Sequence, residues 1–285
     1  MISKPIRITG MIVFACLALS SAAWAATCSN ASLSGTYGFQ HSGTAGDGTP
    51  ITGLSQLRFD PVTATYTGED TQSHDGVITT EALTADYSVA PDCTVTATVT
   101  VGGLSQEIDF VVMSRGFISL VERTGVTTEG IAFKQGVPTC TNAGVEGGFA
   151  FQTTGVFLSG APATGPVAFI GELNLAVNPS GAGEISGHIA GSENGAILTF
   201  AEEPVTGSYT IDADCRGKAT IKLKGVPEMH FGLVVVDSGR KMLIIETDVN
   251  TVVSGSLSKS NEITSTEVSA RDVIRSNCRE QRRDG

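Results

Sequence analysis

Through most of the chain, apolar residues alternate with Thr, Ser or charged ones. Thr94-Val95-Thr96-Ala97-Thr98-Val99 and Ala219-Thr220-Ile221-Lys222-Leu223-Lys224 are clear examples. A period of two places every second side chain on one face, the pattern of a half-buried β-strand. Clusters such as Gly46-Asp47-Gly48-Thr49-Pro50, Asn178-Pro179-Ser180-Gly181 and Asp237-Ser238-Gly239-Arg240 punctuate these stretches as turns. In the first half the pattern predicts strands near 35–41, 53–59, 64–70, 76–84, 85–90, 94–101, 107–113 and 117–122, with a further one near 128–134. So many short strands in sequential hairpins predict an all-β fold. An antiparallel up-and-down barrel is favoured over a β-sandwich, because a meander closes naturally and closure removes exposed edges.

The pattern occurs twice. Cys28-Ser29-Asn30-Ala31 followed by Gly35-Thr36-Tyr37-Gly38-Phe39-Gln40 returns as Cys140-Thr141-Asn142-Ala143 followed by Gly147-Gly148-Phe149-Ala150-Phe151-Gln152. Tyr87 to Cys93 matches Tyr209 to Cys215, and Glu122-Arg123-Thr124 matches Glu246-Thr247-Asp248. The expected organisation is two tandem barrels of about eight strands each, residues 26–136 and 137–260. The linking segment Gln135 to Thr139 is too short for a free tether, so the barrels should touch. A polar tail, 261–285, is expected to be a short helix or disordered.

The first 25 residues break the pattern. Lys4 and Arg7 precede an apolar run from Ile8 to Leu19, and Ala23-Trp24-Ala25 has the form of a signal-peptide cleavage site. That run is shorter than the roughly 20 residues a membrane span needs, so export without membrane insertion is expected, to the periplasm or outside the cell. Cleavage would remove two bases and no acid, leaving 16 basic and 29 acidic side chains, a net charge of −13. Such a balance argues against nucleic acid as a partner. The acids are scattered, as on an ordinary solvated surface.

Cys16 would leave with the signal. Export permits disulfides, and the repeat favours one bridge per copy, Cys28 with Cys93 and Cys140 with Cys215, leaving Cys278 as the odd thiol. No CxxC or HxH pair is present and the four histidines share no repeat position. No metal and no cofactor are therefore expected.

The motifs Cys-x-Asn-Ala-x-x-x-Gly-x-Tyr-x-Phe, Tyr-x-Val-x-x-Asp-Cys and Glu-Thr-Asp-x-x-Thr-Val-Val-x-Gly resemble a secreted bacterial module of calycin-like, lipocalin-resembling barrels. The second copy keeps the last motif as Glu246 to Gly255; the first degrades it between Glu122 and Gly130. The resemblance implies a barrel fold and export and names no reaction. It departs from true lipocalins, whose Gly-x-Trp is replaced here by Gly35-Thr36-Tyr37 and Gly147-Gly148-Phe149.

Candidate chemistry is sparse. No Gly-x-Ser-x-Gly elbow, phosphate loop or His-Glu-x-x-His occurs, and no catalytic residue is identified. Tyr37, Phe39, Phe149 and Phe151 alternate along the first strand of each copy; they either line a pocket or plug the barrel. Glu122 and Glu246 end an apolar strand in each copy and could face a cavity as ligand anchors, or else cap a turn or pair with Arg123 or Lys241. Asp92 and Asp214 are expected to fix turns through hydrogen bonds to backbone. Two functions follow: a binding protein for a small apolar molecule, or a structural or cell-surface interaction protein with filled barrels. Cavity volume separates them, since a binding pocket offers about 300 Å³ or more.

Overall fold

The computed structural model describes residues 27–113, 117–122, 126–137, 139–161, 164–198 and 204–260. The proposed signal, the tail and Cys278 lie outside these residues. The fold is all-β.

The first ring comprises β1 (Gly35–Ala45), β2 (Pro50–Asp60), β3 (Thr65–His74), β4 (Val77–Val89), β5 (Thr94–Val101), β6 (Leu104–Met113), β7 (Phe117–Glu122) and β8 (Val126–Lys134). Each strand pairs antiparallel with the next, and β8 pairs with β1 to close the barrel. The alternation read from sequence is the physical cause: along β5, Val95, Ala97 and Val99 are buried while Thr94, Thr96 and Thr98 are exposed. One expectation needs correcting. The separate strands near 76–84 and 85–90 are a single 13-residue strand, β4. Leu83, Ala85 and Tyr87 stay in phase on the inner face, and nothing between Thr84 and Asp86 turns the chain. The turn lies earlier, at Asp75-Gly76, where both residues have positive φ (50° and 76°), the backbone of a tight hairpin.

The second sheet comprises β9 (Gly147–Phe157), β10 (Gly165–Val177), β11 (Gly183–Glu193), β12 (Ala196–Leu198), β13 (Val205–Ile211), β14 (Arg216–Lys222), β15 (Met229–Val236), β16 (Lys241–Glu246) and β17 (Thr251–Lys259). Its ladders run from β9 through to β17 and back to β9, with β10 paired to both β9 and β11. β12 and β13 both pair with β11, at its two ends. Together they occupy the place of β4.

Each copy has its own apolar core inside its sheet. A third cluster joins them: Leu54, on the outer face of β2, packs with Val234, Val236, Leu243 and Ile245, on the outer faces of β15 and β16. The Gln40 side-chain amide donates to the carbonyls of Ile244 (2.8 Å) and Gly255 (2.9 Å). At one end the Asn250 amide donates to the Gly76 carbonyl, and at the other the Ser238 amide donates to the Gln135 carbonyl. The two copies thus lie side by side with corresponding ends together.

Candidate binding site

The repeated motifs close one end of each sheet. The bridges Cys28–Cys93 and Cys140–Cys215 tie the segment before the first strand to the turn before the fifth ring position. Beside them the Asn30 Oδ1 accepts the Val89 amide (2.9 Å), and the Asn142 Oδ1 accepts the Ile211 amide (2.7 Å). The Tyr87 hydroxyl donates to the Leu33 carbonyl and that of Tyr209 to the Asn142 carbonyl. Asp92 and Asp214 accept the amides of Thr94 and Arg216, fixing the turns that hold the cysteines. The short 3-10 turns Asn30–Ser32 and Asn142–Val145, with the buried Leu33 and Val145, plug that end. The recurring cysteines, asparagines, tyrosines and aspartates at this end are therefore scaffold, and both cavities lie toward the opposite end.

In the first barrel that end holds a small cavity, about 130 Å³, between Phe39, Leu83, Val101 and Ile108. Its wall carries an interior polar cluster. His41 Nε2 lies 3.5 Å from Asp70 Oδ2, and the Ser55 hydroxyl donates to Asp70 Oδ1 at 2.7 Å. The His41 ring stacks on Phe39. Burial pushes the Asp70 carboxyl up, but the His41 charge and the hydrogen bonds from His41 and Ser55 outweigh it and hold the group below its ordinary value. The serine is thus bonded to the carboxylate. In the second copy the same ladder positions are Thr153, Ile189 and Gly171, so the cluster belongs to the first barrel alone.

The second copy holds a larger cavity, about 430 Å³, at the corresponding end. Phe157, Phe169, Leu223, Val226 and Met229 form its apolar lining, and the β9–β10, β14–β15 and β16–β17 connections surround its mouth. Glu246 reaches into it. On β16 this residue is in phase with the core residues Met242 and Ile244, while Leu243 and Ile245 face the other barrel. Glu246 is only 3% exposed, and among the described residues no hydrogen bond reaches its carboxyl. Burial, with a smaller contribution from Asp248, pushes its pKa up to about 8.

The structure separates the residues singled out in the sequence. Glu246 lines the larger cavity and Phe39 the smaller one. Tyr37, Phe149 and Phe151 are buried in the cores, with Tyr37 packed edge-on against Phe59 and Phe151 against Phe231. The Glu122 side chain lies outside the described residues. Its backbone pairs with Ile108, as that of Glu246 pairs with Phe231, so the two glutamates share one register position. Lys241 does not pair with Glu246: it meets Ser258 and the Phe133 ring. His41, Ser55 and Asp70 were missed, although His41 follows Tyr37 and Phe39 in the same inward phase of β1. The signal was the alternation carried two residues further.

These features define an all-β protein of two side-by-side sheets, one a closed eight-stranded barrel, each with a cavity at the same end. No family model and no curated protein matches the chain. Among solved structures it is similar to a protein of unknown function from the DUF3598 family of Nostoc punctiforme, at 12% identity over 81% of this chain and 97% of that one, with a TM-score of 0.25.

Proposed function

We propose that this is an exported binding protein that holds a small, mostly apolar molecule in the cavity of the second copy, with Glu246 as its polar anchor. One observation carries the reading: Glu246, only 3% exposed and with no described residue hydrogen-bonded to its carboxyl, lines a largely apolar space of about 430 Å³. That volume lies in the range of small-molecule sites, whereas the roughly 130 Å³ of the first barrel lies below it. The first barrel is then the filled, stabilising partner, a role that the structural alternative assigned to both. Export agrees with the signal-like residues 1–25 and with the two disulfides, and ligand binding with the lipocalin-like resemblance of the motifs.

Titration with the neutral fluorescent probe N-phenyl-1-naphthylamine tests it. The only tryptophan is Trp24, so a chain cleaved after Ala25 gives little background. A saturable, blue-shifted signal of one probe per chain is expected, and it should be lost when Leu223→Trp fills the cavity. Absence of saturable binding to the unaltered protein overturns the proposal.

A further inference from the structure

The cavity's charges specify more than an apolar ligand. Every ionisable residue that lines it among the described residues is an acid: Glu193, Glu228, Glu246 and Asp248. Two of these are already matched at the rim. Glu228 pairs with Lys222 at 2.6 Å, and Asp248 with His230 at 2.7 Å. Neither cation lines the cavity. Glu246 sits inside with no base beside it among the described residues, and burial together with Asp248 disfavours its charged form. The carboxylates do not form a metal cage: among the described residues no group of three or more metal-ligating side chains converges.

We infer that the ligand is a lipophilic amine, its apolar body against Phe157, Phe169 and Met229 and its ammonium hydrogen-bonded to the Glu246 carboxylate. This rests on the binding reading given above. A carboxylate ligand such as a fatty acid would bring a negative charge to a lining whose described ionisable residues are all acids, with no cation among them to receive it, and like charges in a low-dielectric site repel. A neutral alcohol would fill the same space but bring no charge that could favour ionisation of the acid. An ammonium supplies the missing charge and donates charge-assisted hydrogen bonds, the stronger kind. The chain's formal net charge of −11 attracts cations to the mouth over the same distances at which it repels anions. When the charged amine binds the protonated acid, the carboxyl proton leaves to solvent, so charge and protons balance.

Calorimetric titration with octylamine, octan-1-ol and octanoate at pH 7 separates the possibilities, because the three share one apolar chain. Octylamine should bind at least tenfold more tightly than octanol, with octanoate weakest. In Glu246→Gln the amine's advantage over octanol should vanish, and a far-UV spectrum like that of the unaltered protein shows that the variant folds. Equal affinity for amine and alcohol in the unaltered protein would overturn the amine assignment and leave the apolar-binding reading standing. An amine preference that survives Glu246→Gln but falls in Glu193→Gln or Glu228→Gln would overturn the role of Glu246. If neither amine nor alcohol binds, both readings fall.

Discussion

Glu246 makes the stability of the fold depend on pH in an unusual direction. In the unfolded chain this carboxyl ionises near 4.5, the ordinary value for a glutamate, whereas in the folded protein it holds its proton to about 8. Between those values the folded state binds more protons than the unfolded one, so stability falls as pH rises through the window. Most paired acids do the opposite. Asp70 is one of them: held below its ordinary value by His41 and Ser55 despite burial, it contributes stability that is lost as pH falls through its folded pKa. At about 1.4 kcal/mol per pKa unit, ionising Glu246 costs on the order of 3–5 kcal/mol. Glu246→Gln should therefore be more stable than the parent at pH 9 and nearly equal to it at pH 4.5. Urea denaturation at both values checks this, and parallel pH profiles for the two proteins would contradict it. At this scale the sequence was partly legible. Glu246 stood out because a charged residue ended an otherwise apolar strand, Met242 to Ile245. His41 and Asp70 did not, because a lone histidine and a lone aspartate on separate strands show no pairing until the ladder Ser55 to Asp70 sets their register.

The strand pattern was legible at the level of elements because period-two alternation is a local signal, and all nine strand positions read in the first copy correspond to strands or parts of strands in its ring. What local pattern could not convey was continuity. β4 reads as two strands because Thr84, Ala85 and Asp86 interrupt the run of larger apolar residues, yet its inner face continues unbroken. The cavity difference between the copies is also an element-scale effect. In the first barrel β5 and β6 are joined by the two-residue turn Gly102-Gly103, whereas in the second copy β14 and β15 are joined by residues 223–228. This longer loop supplies Leu223, Val226 and Pro227 to the cavity. Replacing residues 223–228 with Gly-Gly should remove one wall of the site and weaken neutral-probe binding by tenfold or more. Shortening the loop itself changes stability little, but losing Leu223 and Val226 from the core should cost about 2–5 kcal/mol, so the variant should fold with a lowered melting temperature. Fluorescence titration beside a far-UV spectrum checks both halves of the expectation; unchanged affinity would place the probe elsewhere.

For the whole molecule, the question is whether the two copies unfold as one. Duplication alone would allow independent units, but the contact between them is built like a core. Leu54, Val234, Val236, Leu243 and Ile245 are each less than a tenth exposed, and a Cβ at Gly38 would lie 2.6 Å from Val236 Cγ1, so the backbone of β1 itself is pressed against β15. An apolar contact of this kind couples domains, whereas small polar ones leave them free to move. A single calorimetric transition is therefore expected for the disulfide-intact protein. Leu54→Asp tests the coupling without touching either cavity, since Leu54 points away from the interior of β2. A carboxylate buried there without a partner would cost about 3–5 kcal/mol, and separating the copies restores it to water. The variant should thus show two resolved transitions, with neutral-probe binding still lost in the transition of the second copy. One transition merely shifted to lower temperature would mean that the coupling runs through the hydrogen bonds of Gln40 and the Gln135–Ser238 and Gly76–Asn250 contacts at either end, and not through the apolar cluster between them.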